Sequence, residues 1–304
     1  MKKTTMKDIA QRAQVSVATV SYVLNRVGNQ TIPVKTRQQI LQIAEELQYI
    51  PNLAARSLAK QKTGLVGILL HASAVLPYWK QQAQFSFIRD LELRLTQAGY
   101  HTVLHTLDAG HPSLDIIVER KLEAVFLIDA REETFYSISR NFGEGTPLIL
   151  IDSMIEDLLF KQVLYNYRTA LQQLLPEEYS QVCLIMENFN NILLTRYIRD
   201  SLPLADEAVF QVSDQAELDS VLQRSQRFTQ AIVINEWIGN SVEKAGVFEQ
   251  LNVLCTCNCP EILRKQTRRF VFAGDKAAAA FELMKKLLHQ PDYSTQENNR
   301  IFIN

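Results

Sequence analysis

The stretch Met6-Lys-Asp-Ile-Ala-Gln-Arg-Ala-Gln-Val-Ser-Val-Ala-Thr-Val-Ser-Tyr-Val-Leu-Asn25 decides the reading of the first domain. It predicts two short amphipathic helices joined by a tight turn, the pattern of a helix-turn-helix. Ile9, Ala10, Ala13, Val15, Val20, Val23 and Leu24 can close a small core. Ser16, Val17, Ala18, Thr19, Ser21, Tyr22 and Asn25 are left on or near an outer face that could enter a major groove. Thr5 followed by Asp8 is a capping box opening the first helix. Ser16 can cap the second, with Val17 as its first helical residue.

Working outward, a third helix is expected over about 34–47, with Ile40, Leu41, Ile43, Ala44 and Leu47 as its apolar stripe. Charge agrees with a nucleic-acid partner. Residues 1–62 hold ten Lys/Arg and three acids, a net of +7. The remaining residues hold 22 basic and 30 acidic side chains, a net of −8, so a total of −1 hides a basic head on an acidic body. A basic head suits phosphates, and an acidic body limits promiscuous adhesion to nucleic acid.

The head resembles that of the lactose/galactose repressor (LacI/GalR) family. The resemblance rests on Met6-Lys-Asp-Ile-Ala10, Ala13-Gln-Val-Ser-Val-Ala-Thr-Val-Ser21, Val23-Leu-Asn25, Lys35-Thr-Arg37, Glu46-Leu-Gln-Tyr-Ile-Pro-Asn52 and Ala54-Ala-Arg-Ser-Leu-Ala59. It implies a dimeric transcriptional regulator, usually a repressor, whose second helix reads a near-palindromic operator in double-stranded DNA. The positions it assigns to DNA are Thr5, Ser16, Val17, Ala18, Thr19, Ser21, Tyr22, Asn25, Arg26, Thr36 and Tyr49. A hinge helix adds Asn52, Ala55, Arg56 and Leu58, with Leu58 as an apolar wedge in the minor groove. Three positions depart from the family pattern. Gln14 stands where Gly is common in the turn, so it is expected in a left-handed conformation. Pro33 replaces a Ser cap. Tyr22 replaces an Arg, exchanging a two-hydrogen-bond guanine reader for one hydroxyl and a ring.

Behind the head, apolar runs alternate with amphipathic helical segments, which argues for parallel sheets in an α/β arrangement. Strands are expected at about 64–70, 100–106, 124–129, 147–152, 182–186, 209–212, 231–234, 253–257 and 300–304. Helices are expected at about 85–98, 112–120, 167–175, 192–201, 216–224 and 275–289. Together with the resemblance, which implies the hinge and the effector domain, the expected fold class is an all-α helix-turn-helix headpiece (1–50), a hinge (51–62) and a periplasmic-binding-protein-like effector and dimerisation domain of two doubly wound lobes (63–304). The first lobe is expected to take about 63–153 and 270–290, and the second 154–269 and 291–304.

Ligands in such folds sit between the lobes, near the carboxyl ends of strands. By the resemblance, the candidates there are His71, Tyr78, Trp79, Asp152, Arg196, Asn235, Glu236 and Trp237. Tyr78 and Trp79 either stack on a ligand or simply pack. Arg196 matches an effector-contacting Arg of relatives. The expected effector is a small carbohydrate, a sugar or sugar phosphate. The alternative keeps DNA binding but has a degenerate effector domain dock a protein partner.

Cys255, Cys257 and Cys259 alternate, and on a strand they would share one face. Their spacing is not that of a zinc site. No Gly-rich phosphate loop, nucleophile elbow or paired-His motif appears, so no enzyme, cofactor or metal is expected. The absence of a signal peptide and of a long apolar run points to the cytoplasm and to no membrane partner, while a homodimer, or a higher oligomer, is what the resemblance implies.

Overall fold

The computed structural model describes residues 4–24, 31–49, 62–71, 76–107, 119–143, 145–290 and 298–304. It divides into two compact units, residues 1–63 and 64–304.

The head holds the helices α1 (Met6–Ala13), α2 (Val17–Leu24) and α3 (Val34–Glu46). Their shared core is Ile9, Ala10, Ala13, Val20, Val23, Ile40, Ile43 and Ala44, all buried. Leu41, expected in that core, is 48% exposed, so the stripe of α3 is narrower than its sequence suggests. Both the backbone N–H and the hydroxyl of Thr5 donate to the Asp8 carboxylate at 2.7 Å, which fixes the start of α1. Gln14 ends α1 with φ 53°, the left-handed conformation expected of it. That position suits glycine, because a side chain there crowds its own carbonyl. The expected minor-groove segment, with Asn52, Ala55, Arg56 and Leu58, lies outside the described residues. So do Asn25 and Arg26, and most of the helix expected at 112–120.

The body contains two all-parallel sheets. The first has the order β11-β5-β4-β3-β1-β2, from β1 (Leu65–His71), β2 (His101–Leu107), β3 (Ala124–Ile128), β4 (Leu148–Ile151), β5 (Lys161–Tyr165) and β11 (Arg300–Ile303). The second has the order β10-β9-β8-β6-β7, from β6 (Val182–Glu187), β7 (Val209–Val212), β8 (Gln230–Ile234), β9 (Gln250–Cys255) and β10 (Arg268–Val271). Every residue of β3, β4 and β6 is buried, as expected for parallel strands covered on both faces. Gly67 packs closely, and a Cβ there would lie 2.7 Å from the end of the Leu122 side chain, which would have to shift. Helices start on acceptor caps: Asn191, Asp214 and Asp275 each accept the backbone N–H three residues on, at 2.8 Å.

Three expectations are corrected. The chain stays in the first sheet through Tyr165 rather than leaving near 153, because β5 pairs with β4. The last strand was assigned to the second lobe but pairs with β5 in the first sheet. Once β5 occupies that edge it offers a free ladder to 300–303. The helix expected at 85–98 spans Tyr78–Gln97, beginning seven residues earlier behind Pro77. It packs on the helix Lys276–His289, which also covers β5.

The lobes are joined where β5 leads into the helix Tyr167–Leu174 and where β10 leads into the 276–289 helix. The end of β11 lies between these two crossings. Asn166 donates to the Ile303 carbonyl at 2.9 Å, and Gly274 to the Asn304 carbonyl at 2.7 Å. A Cβ at Gly274 would come within 2.8 Å of Ile303 and 3.1 Å of the Asn304 oxygen, so glycine is what lets the segments touch.

Candidate functional site

The first candidate surface is α2. The Ser16 hydroxyl accepts from the Thr19 N–H at 3.0 Å and so caps the helix. Val20 and Val23 turn inward, fully packed. Ser16, Val17, Ala18 and Tyr22 are exposed on the other side, with Thr19 and Ser21 half-buried beside them. Thr36 and Tyr49 are half-buried, and Tyr49 packs against the headpiece core. The exposed Tyr22 ring is 37% accessible, so an aromatic side chain stands at the centre of a small-residue face. The Arg12–Glu46 ion pair at 2.7 Å ties α1 to α3 on the exposed surface, where such pairs contribute little.

The second candidate is the cleft between the lobes. Three strand ends deliver polar groups there in left-handed backbone: Asp129 (φ 54°) after β3, Asp152 (φ 50°) after β4, and Asn235 (φ 85°) after β8. The 78–97 helix brings Lys80, and the 276–289 helix brings Lys276 at its first residue. Lys80 pairs with Asp129 at 2.6 Å, both about 95% buried. Lys276 pairs with Asp152 at 2.5 Å and also lies 4.2 Å from the centroid of the Tyr165 ring. The second lobe supplies Glu187, at the end of β6, with Phe189 and Thr256. Burial pushes the Glu187 carboxyl up to about 7, with Lys80 opposing and Asp129 adding to the rise. Burial likewise lifts Asp129 despite its ammonium partner.

The lobes are shut onto one another. Trp79, fully buried, leaves its own lobe to pack with Cys183, Ile185 and Val233 of the second. The Tyr78 hydroxyl lies 2.8 Å from the Ser241 hydroxyl. The Lys80 ammonium donates to the Asn188 carbonyl at 3.3 Å. The Asn190 amide donates to Asp129 at 2.7 Å. Asn191 donates to the carbonyls of Ala130 and Met154 and accepts the Met154 N–H. The space left among Lys80, Phe87, Asp129, Asp152, Glu187 and Lys276 is about 40 Å3. That is room for roughly three waters, so a sugar ring would need the lobes to part.

The structure therefore sorts the sequence candidates. Asp152 lines the cavity. Tyr78, Trp79, Asn235 and Trp237 form the seam beside it, with Asn235 3.5 Å from the Trp79 carbonyl. Glu236 is fully buried and accepts the backbone N–H groups of Thr256, Cys257 and Cys259 at 2.7–3.0 Å, so it shapes a loop rather than facing a ligand. His71 is buried beside Thr134, away from the cavity, and burial followed by Arg131 lowers its pKa to about 4. Arg196 is corrected: it is exposed and lines a separate surface groove with Ile192, Thr195 and Arg199. Its helix is buried through Leu194 and Ile198, which turns position 196 outward. The alternating cysteines do not share a strand, since β9 ends at Cys255. Cys257 and Cys259 lie in the following loop, and burial pushes the Cys259 thiol up to about 12. No metal-binding cluster occurs among the described residues.

Lys80, Asp129, Glu187, Asn190, Asn191 and Lys276 were not anticipated. The signal for Asp129 was present, an apolar run ending in an acid. The lysines give none, because in sequence they look like solvated helix residues.

Residues 5–52 match the family of bacterial regulatory proteins, lacI family. The chain is 28% identical over 220 residues to the Probable HTH-type transcriptional regulator EndR of Paenibacillus polymyxa, an alignment covering 70% of this chain and 58% of that protein. It is 36% identical over 104 residues to catabolite control protein A of Staphylococcus aureus, covering 34% and 29%. The chain thus spans well under two thirds of the length of these relatives. Its fold matches that of the lac repressor dimer bound to operator and the anti-inducer ONPF, with a TM-score of 0.75, 15% identity and coverage of 99% and 96%. It also matches a LacI-family regulator, CCPA from Weissella paramesenteroides, with bound glucose, at a TM-score of 0.56, 15% identity and coverage of 79% and 94%. Residues 5–52 thus form a headpiece that matches the lacI family, and the two parallel-sheet lobes behind it share the fold of these solved regulators. Among the described residues no helix is long and apolar enough to cross a membrane.

Proposed function

We propose that this chain is a sequence-specific DNA-binding transcriptional regulator, acting in the cytoplasm as a homodimeric repressor. The observation that carries the reading is the lacI-family headpiece, with α2 capped by Ser16 and the small-residue face around Tyr22 exposed. Each headpiece would read one half-site of a near-palindrome, the site's symmetry mirroring that of the dimer. Selection on random duplex DNA tests this: recovery of a two-fold symmetric motif supports it, and recovery of none overturns it.

The body is proposed to sense a small carbohydrate-type effector between its lobes, as the solved regulators with bound glucose or cellobiose suggest. The two lobes close on polar strand ends, as such a sensor requires. A second reading is favoured by the ion pairs that fill the cleft: the domain is held shut by its own side chains and docks a protein partner instead. A screen of sugars and sugar phosphates by thermal shift separates them. Ligand at a hundred times its dissociation constant adds about 2.7 kcal/mol of stability. A flat screen with intact operator binding supports the docking reading.

A further inference from the structure

The charges of the cleft divide unevenly between the lobes. The first lobe presents two complete ion pairs, Lys80–Asp129 and Lys276–Asp152. Both partners of each come from that lobe, so its face of the cleft is neutral whether the lobes are open or shut. The second lobe presents Glu187 without a cation of its own. Glu187 is 94% buried, and its hydrogen bond from Asn235 is long, at 3.4 Å. Shutting the cleft therefore buries a carboxylate whose cationic neighbour, Lys80, is already paired with Asp129, an expensive step unless a further positive charge arrives with it.

Two further observations point into the same cavity. The Asp152 Oδ1 atom is buried and finds no hydrogen-bond partner among the described residues, although Oδ2 holds Lys276. The cavity is also walled by the aromatic rings of Phe87, Tyr167 and Phe189. Acceptor oxygens among aromatic faces suit an ammonium group, which gains both charge-assisted hydrogen bonds and cation–π attraction. The volume left in the shut cleft fits such a group, and the ring that carries it enters as the lobes part. A phosphate here would face Asp129, Asp152 and Glu187, and the two lysines that could receive it are already paired.

Resting on the small-molecule reading above, we propose that the cleft takes a carbohydrate-sized ligand bearing an amine, with its ammonium placed between Glu187 and the free oxygen of Asp152. The second lobe's carboxylate is then the residue that selects it.

The test uses the full chain and matched sugars: glucose with glucosamine, galactose with galactosamine, and the 6-phosphates of glucose and galactose. Binding is measured by titration calorimetry for wild type and Glu187→Gln. Glutamine keeps the shape and removes the charge, and thermal unfolding confirms that the variant folds. The amine of at least one pair is expected to bind tenfold or more tighter than its neutral partner, and Glu187→Gln should abolish that preference. Neutral or phosphorylated members binding as well as the amines, or an amine preference that survives in Glu187→Gln, would overturn the ligand class while leaving the small-molecule reading intact. No binding by any sugar, with operator binding retained, would overturn both.

Discussion

The rings of Tyr78 and Trp237 meet edge-on with centroids 6.0 Å apart, joining the first lobe to the second. Beside them Trp79 is fully buried in the core cluster of the lobe to which it does not belong. Trp79→Ala should therefore do two things at once. It should cost about 3–5 kcal/mol, the usual penalty for emptying a buried indole site. It should also part the lobes, seen as a larger radius of gyration in small-angle scattering. Arg196→Ala is the control: being exposed and outside the cleft, it should change stability by less than about 0.5 kcal/mol and leave the radius unchanged.

Stability should depend on pH through two buried groups acting in opposite directions. Glu187 is raised from 4.5 to about 7 in the folded chain. The native state holds its proton more tightly than the unfolded state, so this contribution is full below about pH 4.5 and is lost as pH rises through 7. The loss amounts to roughly 3 kcal/mol. His71 is lowered from 6.5 to about 4, so its contribution is present above 6.5 and lost as pH falls toward 4. Chemical denaturation from pH 4 to 8 should show Glu187→Gln flattening the alkaline limb and His71→Gln the acid limb. A Glu187→Gln profile parallel to wild type above pH 5 would contradict the assignment.

Gln14 holds a left-handed conformation at the end of α1. Gln14→Gly should remove that strain and stabilise the headpiece by roughly 1 kcal/mol. Thermal unfolding followed by helical circular dichroism reads this, and an unchanged or lowered midpoint would speak against it.

Tyr22 is the large side chain on the exposed face of α2. Tyr22→Ala should alter preference at one or two base pairs per half-site, by about 1–3 kcal/mol each. Identical motifs from wild type and variant in the same selection would remove Tyr22 from the reading surface.

Much of the fold is legible in the sequence because it is written in periodicity. The capped turn at Ser16 and the uninterrupted runs of β3, β4 and β6 follow from local chemistry, and the left-handed Gln14 from the glycine that the resembling family commonly has at that position. What fails is polar burial. Lys161 and Gln162 open β5 and are almost completely buried, with Gln162 clamping both the N–H and the carbonyl of Ile155. A strand that begins with two such residues does not look apolar, so β5 is not expected from the sequence, and its partner β11, expected at 300–304, is assigned to the wrong lobe. The cleft fails for the same reason. Lys80 and Lys276 are recognisable as cleft residues only once Asp129 and Asp152 are seen opposite them, and those partners lie 49 and 124 positions away along the chain.

The place where Gly274, Asn304 and Asn166 lie side by side has a mechanical meaning. Two chain crossings, bonded to a common strand end between them, define an axis rather than a point. Twisting one lobe about the other would shear the Asn166–Ile303 and Gly274–Asn304 bonds together, whereas opening and shutting leaves both intact. The strand end thus favours opening and shutting about that axis over twisting, and a ligand that enters the cleft would be felt first as a change of angle.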